Sequence, residues 1–437
     1  MGNKNSIILI LEAAISGFYL AVSRSLAPLY LVSQGLKVQE LLLLSALGNL
    51  LAVLTIRSLY SLLQSRGISA RTLLLVHGIE RVLWCSIPYL GMLGLIGYLA
   101  GITVATMTGF LITLLIMGLG NEELVKKVMS RRTALSATTS VVAQVLATLA
   151  LAGGAEIREL LLTALGIGLL ATVVLSRMHL DKLRSKPSTA PASEALEKQA
   201  TVFLYLLFLL ASSSILSISW PSYLLKILSV HTWVASLLST VQTLTTIVAA
   251  FVWVRVGFKS YRIAIALLPL VPLAAFLIRD PYMHILLASA NVLLFSGANY
   301  FGGFMYARLA YYLGPIRASL FLISASGMAQ VVGPLISYLA MLQLGVDALF
   351  IVSSALALVS LIIAMTSISE VALAPEKYVR IYSRILYNAS IASYTTMIIA
   401  ARSALTLTLQ LLALSSTAML LFLFLKMAYY IALLSGG

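Results

Sequence analysis

Apolar runs of about 20 residues, long enough to cross a bilayer as a helix, follow one another along this chain. The sequence of 437 residues is 61% hydrophobic and only 10% charged, whereas soluble domains are about 25% charged. This pattern predicts an all-α membrane protein. Twelve spans are predicted, at 7–31, 41–63, 72–91, 95–119, 133–153, 159–177, 201–225, 233–254, 263–278, 283–307, 318–341 and 346–366.

Basic residues in the loops between these spans lie mostly on one side of the membrane. With the N-terminus inside, the outer loops carry only Lys37, Arg158, Lys226 and Arg279. This positive-inside bias predicts a multi-pass protein of the plasma membrane with a cytoplasmic N-terminus. It also explains the net charge of +15 without a nucleic-acid partner, because basic inner loops contact anionic membrane lipid.

A segment of the first half of the chain recurs in the second half. In both copies the residues have the same spacing, with Arg131, Ser140, Ala143, Gln144 and Val145 matching Arg317, Ser326, Ala329, Gln330 and Val331. A shorter match relates Pro28 and Tyr30 to Pro221 and Tyr223. Such internal repeats indicate that the two halves share one structural plan.

The repeat and the spans together predict the domain organisation. Residues 1–176 and 201–366 are expected to form two bundles of six helices each. The polar stretch 177–200, which contains prolines and mixed charges, is expected to be a flexible inner linker. In membrane proteins, paired halves are typical of carriers that expose a central site alternately to each side.

The C-terminal segment, 367–437, lies outside the repeat. Several of its polar residues fall on one helical stripe: Arg380, Arg384, Asn388, Thr395 and Arg402. The stripe favours an amphipathic helix on the inner surface, followed by one further span at 404–433. The alternative is two spans, at 385–401 and 405–430.

These features resemble the major facilitator superfamily, whose members have twelve spans in two halves, a long inner linker, and a basic inner loop after spans two and eight. The corresponding loops here lack the family's aspartate and read Gln64-Ser65-Arg66-Gly67 and Arg255-Val256-Gly257. The stretch 317–334 is similar to the family's start of span eleven. Over residues 1–366, the resemblance implies a two-bundle (6+6) carrier whose central cavity is lined in part by spans one and ten.

Charged side chains are scarce within the predicted spans, and the acids among them lie in the first half. Glu12 and Tyr19 share one face of span one, while Arg24 lies toward the outer half of that span. Ionisable groups inside a bilayer are usually functional or paired. Glu12 could exchange a proton, and Arg24 could hold an anionic group of a substrate. Alternatively, Glu12 pairs with a nearby cation and Arg24 extends outward to the membrane surface.

Span three carries a second group of charges, Glu80 and Arg81, with His77 one turn away. Adjacent residues point about 100° apart on a helix, so we expect that Glu80 and Arg81 do not pair with each other. Arg57 of span two is the predicted partner of Glu80, and His77 could join a proton relay. An ion pair that locks spans two and three is favoured over a place in the substrate pathway.

Neutral polar residues also lie within the spans. Gln144 and Gln330 occupy matching positions in spans five and eleven, where we expect helix packing or gating. Asn299 and Tyr300 of span ten are expected to face the cavity that the resemblance implies. The sequence contains no nucleotide-binding motif and no metal-ligand spacing, so no cofactor or metal is expected.

The favoured function is a secondary active transporter that moves a small solute, with proton coupling as a hypothesis that rests on Glu12 or Glu80. A lipid flippase or scramblase on the same scaffold is the main alternative. A membrane-embedded transferase is less favoured, because such enzymes need acids or metal ligands clustered at a membrane face. The outer acids are instead scattered over separate short loops, at Glu40, Glu156, Glu159, Asp280 and Asp347. No enzymatic activity is expected.

Overall fold

The computed structural model describes residues 2–66, 70–117, 122–178, 193–313, 315–373, 375 and 377–389. All regular structure in these ranges is helical. The chain divides into two compact units, Met1–Arg380 and Ile381–Gly437. Residues 377–389 are helical. The remainder of the tail lies outside the described residues, so the number of its spans stays a prediction.

Helices of the first half are α1 (Gly2–Ser33), α2 (Val38–Arg66), α3 (Ala70–Ser86), α4 (Gly94–Met117), α5 (Glu122–Ala152) and α6 (Ile157–Ser176). Those of the second half are α7 (Ser193–Lys226), α8 (Thr232–Val254), α9 (Tyr261–Leu267), α10 (Leu270–Leu277), α11 (Pro281–Leu313), α12 (Pro315–Leu344) and α13 (Ala348–Ser367).

Ten helices in the described part of the chain are long and apolar enough to cross a membrane. The chain is therefore a multi-pass membrane protein. Helix α3 is not among the ten, and it has only 17 residues with several charges. The pair α9–α10 at Tyr261–Leu277 forms a shorter apolar segment. These two elements coincide with predicted spans three and nine, so the count of twelve spans stays a prediction.

Several helices begin earlier than the apolar runs predict. Helix α7 begins at Ser193, which lies inside the predicted linker 177–200, and α5 begins at Glu122. Glu, Ala, Leu and Lys favour helix in these polar stretches, whereas hydropathy follows only the part inside the membrane. Predicted span nine is divided into α9 and α10 at Pro269, because proline has no backbone N–H for the helical ladder.

The two halves use equivalent helix contacts. Helix α1 packs against α5 and α6, and α7 packs against α12 and α13. A glycine permits close approach in both cases: Gly17 of α1 lies on the backbone of Ser136, and Gly333 of α12 lies on the backbone of Ala211. Ser140 Oγ also donates to the carbonyl oxygen of Gly17 over 2.8 Å. These contacts fix the position of α1, which carries Glu12.

Contacts between the halves are made mainly by α2 with α12 and by α5 with α8. Thr148 Oγ1 of α5 lies 2.9 Å from Ser236 Oγ and 3.0 Å from Thr240 Oγ1, both on α8. Near the same ends of these helices, Leu151 and Val230 belong to one apolar cluster. The halves therefore meet at this end of the bundle, and cavities lie between them further along.

Candidate functional site

A buried network of charged side chains lies between α1, α3 and α5, with Glu12 at its centre. Arg132 Nη1 donates to Glu12 Oε2 over 2.7 Å, and Ser16 Oγ donates to Glu12 Oε1 over 2.6 Å. Arg81 Nη2 is 3.8 Å from Glu12 Oε1. Glu12 is only 1% exposed, and these partners make its burial as a carboxylate tolerable. The pairing expected as one alternative for Glu12 is therefore present.

His77 connects Glu12 to α6. Its Nε2 lies 3.1 Å from Glu12 Oε1, and its Nδ1 lies 2.8 Å from Thr172 Oγ1. A neutral His77 with its proton on Nε2 can donate to Glu12 and accept from Thr172. This geometry suits the predicted relay. Within the described ranges, no group of three or more His, Cys, Asp and Glu residues could hold a metal ion.

Glu80 binds two arginines. Arg81 Nη1 donates to Glu80 Oε2 over 2.6 Å, and Arg24 Nη2 lies 3.5 Å from Glu80 Oε1. The prediction that Glu80 and Arg81 do not pair is therefore wrong. Their Cβ atoms diverge, but the long arginine side chain folds back far enough to reach both Glu80 and the carbonyl oxygen of His77, at 3.0 Å. The side chain of Arg57 lies outside the described residues, so its pairing stays a prediction.

Tyr19 supports this network from inside α1. Its hydroxyl donates to the carbonyl oxygen of Glu80 over 3.2 Å, and its ring lies 5.0 Å from Arg81 Cζ. A guanidinium at this distance from an aromatic face is attracted by the ring electrons. Tyr19 is fully buried, so in this conformation it positions Arg81 and has no surface to offer a solute.

Cavities lie beside the network, between the two halves. The largest of those lined by described residues, of about 560 Å³, has Glu12, Glu80, Arg81 and Arg132 on its walls together with residues of α4, α5 and α8. Arg24 lines this cavity and two neighbouring cavities of about 230 and 520 Å³. Its side chain is 49% exposed. Arg24 is thus the charged group of the network that is most open to a solute.

The second half contributes hydroxyl and amide groups to the cavity walls. Asn299 and Tyr300 line a cavity of about 240 Å³ whose described lining residues all belong to the second half. Other polar residues on the walls are Ser217, Gln242, Thr243, Thr246, Asn291 and Ser296. Sequence analysis did not select the threonines of α8, because single hydroxyls are common in membrane helices. Thr243 and Thr246 lie about one turn apart on α8, and this spacing could have indicated that they share one face of the helix.

Gln144 and Gln330 both border this space. Gln144 lines the cavity of about 230 Å³, and Gln330 lines the cavity of about 520 Å³. Gln330 Nε2 donates to Ser326 Oγ over 3.3 Å, within its own helix. Both lie on helices that contact the opposite half, α5 and α12. A role in gating is compatible with these positions and stays a prediction.

Solved structures of membrane transporters share this fold. The nucleoside transporter NupG is 15% identical, with a TM-score of 0.59 over 83% of this chain and 97% of that chain. A bacterial homologue of the iron transporter ferroportin is 15% identical, with a TM-score of 0.60 over 82% of this chain and 97% of that chain. A D-xylose–proton symporter is 14% identical, with a TM-score of 0.58 over 82% and 96% of the two chains.

No protein-family model matches the sequence, and no curated protein is similar to it in sequence. At 14 to 15% identity, the similarities to solved structures establish a shared fold and nothing about the solute. They extend over almost the full length of those transporters. The chain therefore has the fold of these membrane transporters, as its resemblance to the major facilitator superfamily predicts.

Proposed function

We propose that this protein is a secondary active transporter of the plasma membrane, with its N-terminus in the cytoplasm. A small polar solute binds between residues 1–176 and 201–366, and the two halves move about it to expose it alternately to each side. The cavities between the halves support this proposal, because their walls carry arginines from the first half and hydroxyls and amides from both halves. These groups offer a polar solute hydrogen-bond partners that a lipid tail cannot use.

Proton coupling through Glu12 is the second part of the proposal. The observation that carries it is the position of this carboxylate, which is buried, lines the largest cavity, and contacts His77 of α3 and Arg132 of α5. A proton on Glu12 would remove the negative charge that holds α5 to α1 through Arg132. The protonation state of Glu12 would thereby change the relative stability of two arrangements of the bundle.

The structural neighbours support a transporter without naming its solute. They are described as carriers of nucleosides, of metal and of D-xylose with protons. One fold therefore serves chemically different solutes, and function must be argued from the site. The D-xylose–proton symporter among them has this fold, which supports the proposed coupling to a proton gradient.

Replacement of Glu12 by Gln tests the coupling. Proteoliposomes that contain the wild-type protein are screened with sugars, nucleosides and organic acids. We expect them to take up protons together with a solute, and a pH-sensitive dye in the lumen measures the proton uptake. Glu12→Gln should still exchange labelled solute across the membrane but should lose proton uptake, because the amide cannot titrate. Glu40→Gln is the matched control, since this acid lies at the start of α2 and lines no described cavity.

Full proton-coupled uptake by the Glu12→Gln variant would refute the role of Glu12. A wild-type protein that scrambles labelled lipid and moves no solute would refute the transporter proposal itself. Size-exclusion profiles and thermal unfolding should accompany each variant, because loss of the charge leaves Arg132 without its carboxylate partner. Removing one member of a buried ion pair typically costs about 3–5 kcal/mol.

A further inference from the structure

The described charged side chains around the largest cavity do not balance. Its described charged side chains are three arginines and two glutamates: Arg24, Arg81, Arg132, Glu12 and Glu80. With His77 neutral, one positive charge is left over. The neighbouring cavities add no described charged side chain other than Arg24. An uncompensated charge in a site of low dielectric constant is costly, so the site favours a ligand of opposite sign.

Arg24 is the arginine that can meet such a ligand. Arg132 and Arg81 each donate a short hydrogen bond to a glutamate, at 2.7 Å and 2.6 Å. Arg24 has a longer contact of 3.5 Å with Glu80 through one guanidinium nitrogen. About half of its side chain remains exposed. A guanidinium has five N–H donors in a planar fork that matches a carboxylate, so Arg24 keeps donors for a second anion.

Buried polar groups around Arg24 point to the rest of the ligand. Trp84 lines one cavity together with Arg24, and Gln144 and Ser222 line another with it. Trp84 Nε1, Gln144 Oε1 and Ser222 Oγ are buried and have no hydrogen-bond partner among the described residues. Buried polar groups are rarely left unpaired. The indole N–H needs an acceptor and the amide oxygen needs a donor, so a ligand that offers both would satisfy them.

We propose that this site, taken as the substrate site of the transporter proposed above, binds a small organic monoanion that carries hydroxyl groups. The carboxylate accepts from Arg24 and from Trp84 Nε1. The hydroxyls donate to Gln144 Oε1 and share a hydrogen bond with Ser222. While Glu12 is ionised, one negative charge matches the single excess positive charge of the described side chains, whereas a neutral solute leaves it uncompensated and a cation adds to it. The opposite wall extends the hydroxyl recognition through Ser217, Gln242, Thr243 and Thr246.

A proton on Glu12 strengthens this binding, because it removes a negative charge from the cavity wall. The described polar groups that face Glu12 come from its own helix, from α3 and from α5: Ser16, His77, Arg81 and Arg132. None of them is an acid that could replace the lost negative charge. By thermodynamic reciprocity the anion strengthens proton binding by the same factor. Proton and anion therefore cross in the same direction.

Binding measurements on the purified full-length protein test this inference. The probes are glycolate, lactate, glycerate and gluconate, each compared with its neutral amide. Binding is measured by tryptophan fluorescence and calorimetry. We expect one or more of the anions to bind at least tenfold more tightly than its amide. Arg24→Gln should weaken that anion by roughly ten- to hundredfold, the range for a hydrogen bond to a charged group, and Arg24→Lys should restore part of the loss.

Glu12→Gln should change the affinity for the anion in the direction opposite to Arg24→Gln. This variant mimics the protonated carboxyl, so it should bind the anion several times more tightly than the wild type at neutral pH and should lose the wild type's tightening at lower pH. Arg255→Gln, which removes an exposed charge outside the described cavities, should leave binding unchanged and so controls for net charge.

Equal affinity for each acid and its amide, no binding by any of the four anions, or normal binding by Arg24→Gln would overturn this inference. If a neutral sugar or nucleoside is carried in proteoliposomes while none of these anions binds, the transporter proposal stands and the monoanion inference is wrong. If an anion binds with the expected dependence on Arg24 and Glu12 but does not cross the membrane, the transporter proposal is wrong.

Discussion

Asp347, just before α13, is held by side chains from two other parts of the chain. Arg279 forms two hydrogen bonds to its carboxylate, at 2.9 Å to Oδ1 and 2.7 Å to Oδ2. Tyr223 donates its hydroxyl to Oδ1 over 2.7 Å. These hydrogen bonds, led by those from Arg279, lower the pKa of Asp347 below its ordinary value of 3.8. The three residues connect α7, the loop before α11, and α13.

The lowered pKa predicts a pH-dependent stability. A carboxyl whose pKa is lower in the folded state contributes stability above its unfolded pKa of about 3.9 and loses it as the pH falls through the folded value. We therefore expect Asp347→Asn to reduce the melting temperature at pH 6 and to have much less effect at pH 3. The effect should be small, because Arg279 is mostly exposed and ion pairs at the surface contribute little.

Thermal unfolding of both proteins between pH 3 and pH 7 checks this expectation. Asp280→Asn is the control, because Asp280 instead accepts from the backbone N–H groups of Tyr282 and Met283. This variant keeps the bond between Asp347 and Arg279 and should retain the wild-type difference between pH 6 and pH 3. An equal loss of stability by Asp347→Asn at both pH values would contradict the prediction.

At the residue scale, the sequence predicts which charges need partners better than it predicts the partners. Scarcity of charge within apolar spans identifies Glu12, Glu80 and Arg81. The angle between adjacent residues on a helix then gives the wrong prediction for Glu80 and Arg81, because an arginine side chain is longer than the separation of adjacent Cβ atoms. Arg132 was outside the predicted site, since it belongs to a basic stretch typical of an inner loop. Only the packing of α1 on α5 brings it to Glu12.

At the level of helices, close packing at Gly17 predicts a sharp effect of one added methyl group. A Cβ at this position would collide with the backbone oxygen of Ser136 and with Thr139 Oγ1. Overpacking of this kind typically costs about 1–3 kcal/mol. We expect Gly17→Ala to lower the melting temperature and the yield of folded protein, because α1 must move away from α5 and the bond between Glu12 and Arg132 lengthens.

Gly166→Ala in α6 is the matched control, since nothing lies within 4 Å of a Cβ added there. Alanine also favours helix over glycine by about 1 kcal/mol, so this variant should be as stable as the wild type or more stable. Thermal unfolding in the same detergent compares the two. If Gly17→Ala were as stable as Gly166→Ala, the close approach of α1 and α5 described above would be wrong.

Helix boundaries show where the hydropathy pattern stops being informative. It predicts which stretches are apolar enough to be helical within the membrane, but α5 and α7 extend beyond the apolar part into charged residues that also favour helix. Predicted span nine fails differently, because Pro269 and Pro272 interrupt backbone hydrogen bonding without changing hydropathy. Both differences follow from backbone chemistry that an apolar count does not measure.

Over the whole molecule, the repeat predicts the scaffold and leaves the chemistry open. The contacts of α1 with α5 and α6 match those of α7 with α12 and α13, in agreement with two halves of one plan. The described charged side chains of the cavities come from the first half alone, whereas the second half offers hydroxyls and amides. A repeat search finds what the halves share, so it cannot reveal an asymmetry of charge. The asymmetry can be recognised only from the positions of Arg24 and Glu12 in the structure.

The pairing of one proton on Glu12 with one monoanion at Arg24 determines how membrane voltage acts on the cycle. If the empty carrier has Glu12 ionised, and the loaded carrier holds one proton and one monoanion, the cavity carries the same charge in both. The two reorientation steps then move equal charge in opposite directions. Voltage, worth about 2.3 kcal/mol per elementary charge per 100 mV, does no net work over the cycle.

Proteoliposomes with potassium diffusion potentials of either sign should therefore accumulate the anion to the same final level at a fixed pH gradient. Accumulation that follows the imposed potential would contradict one-to-one movement of proton and anion. In this arrangement Arg24 and Glu12 together make the carrier electroneutral, so that a cell with a collapsed membrane potential but an intact pH gradient could still concentrate the solute.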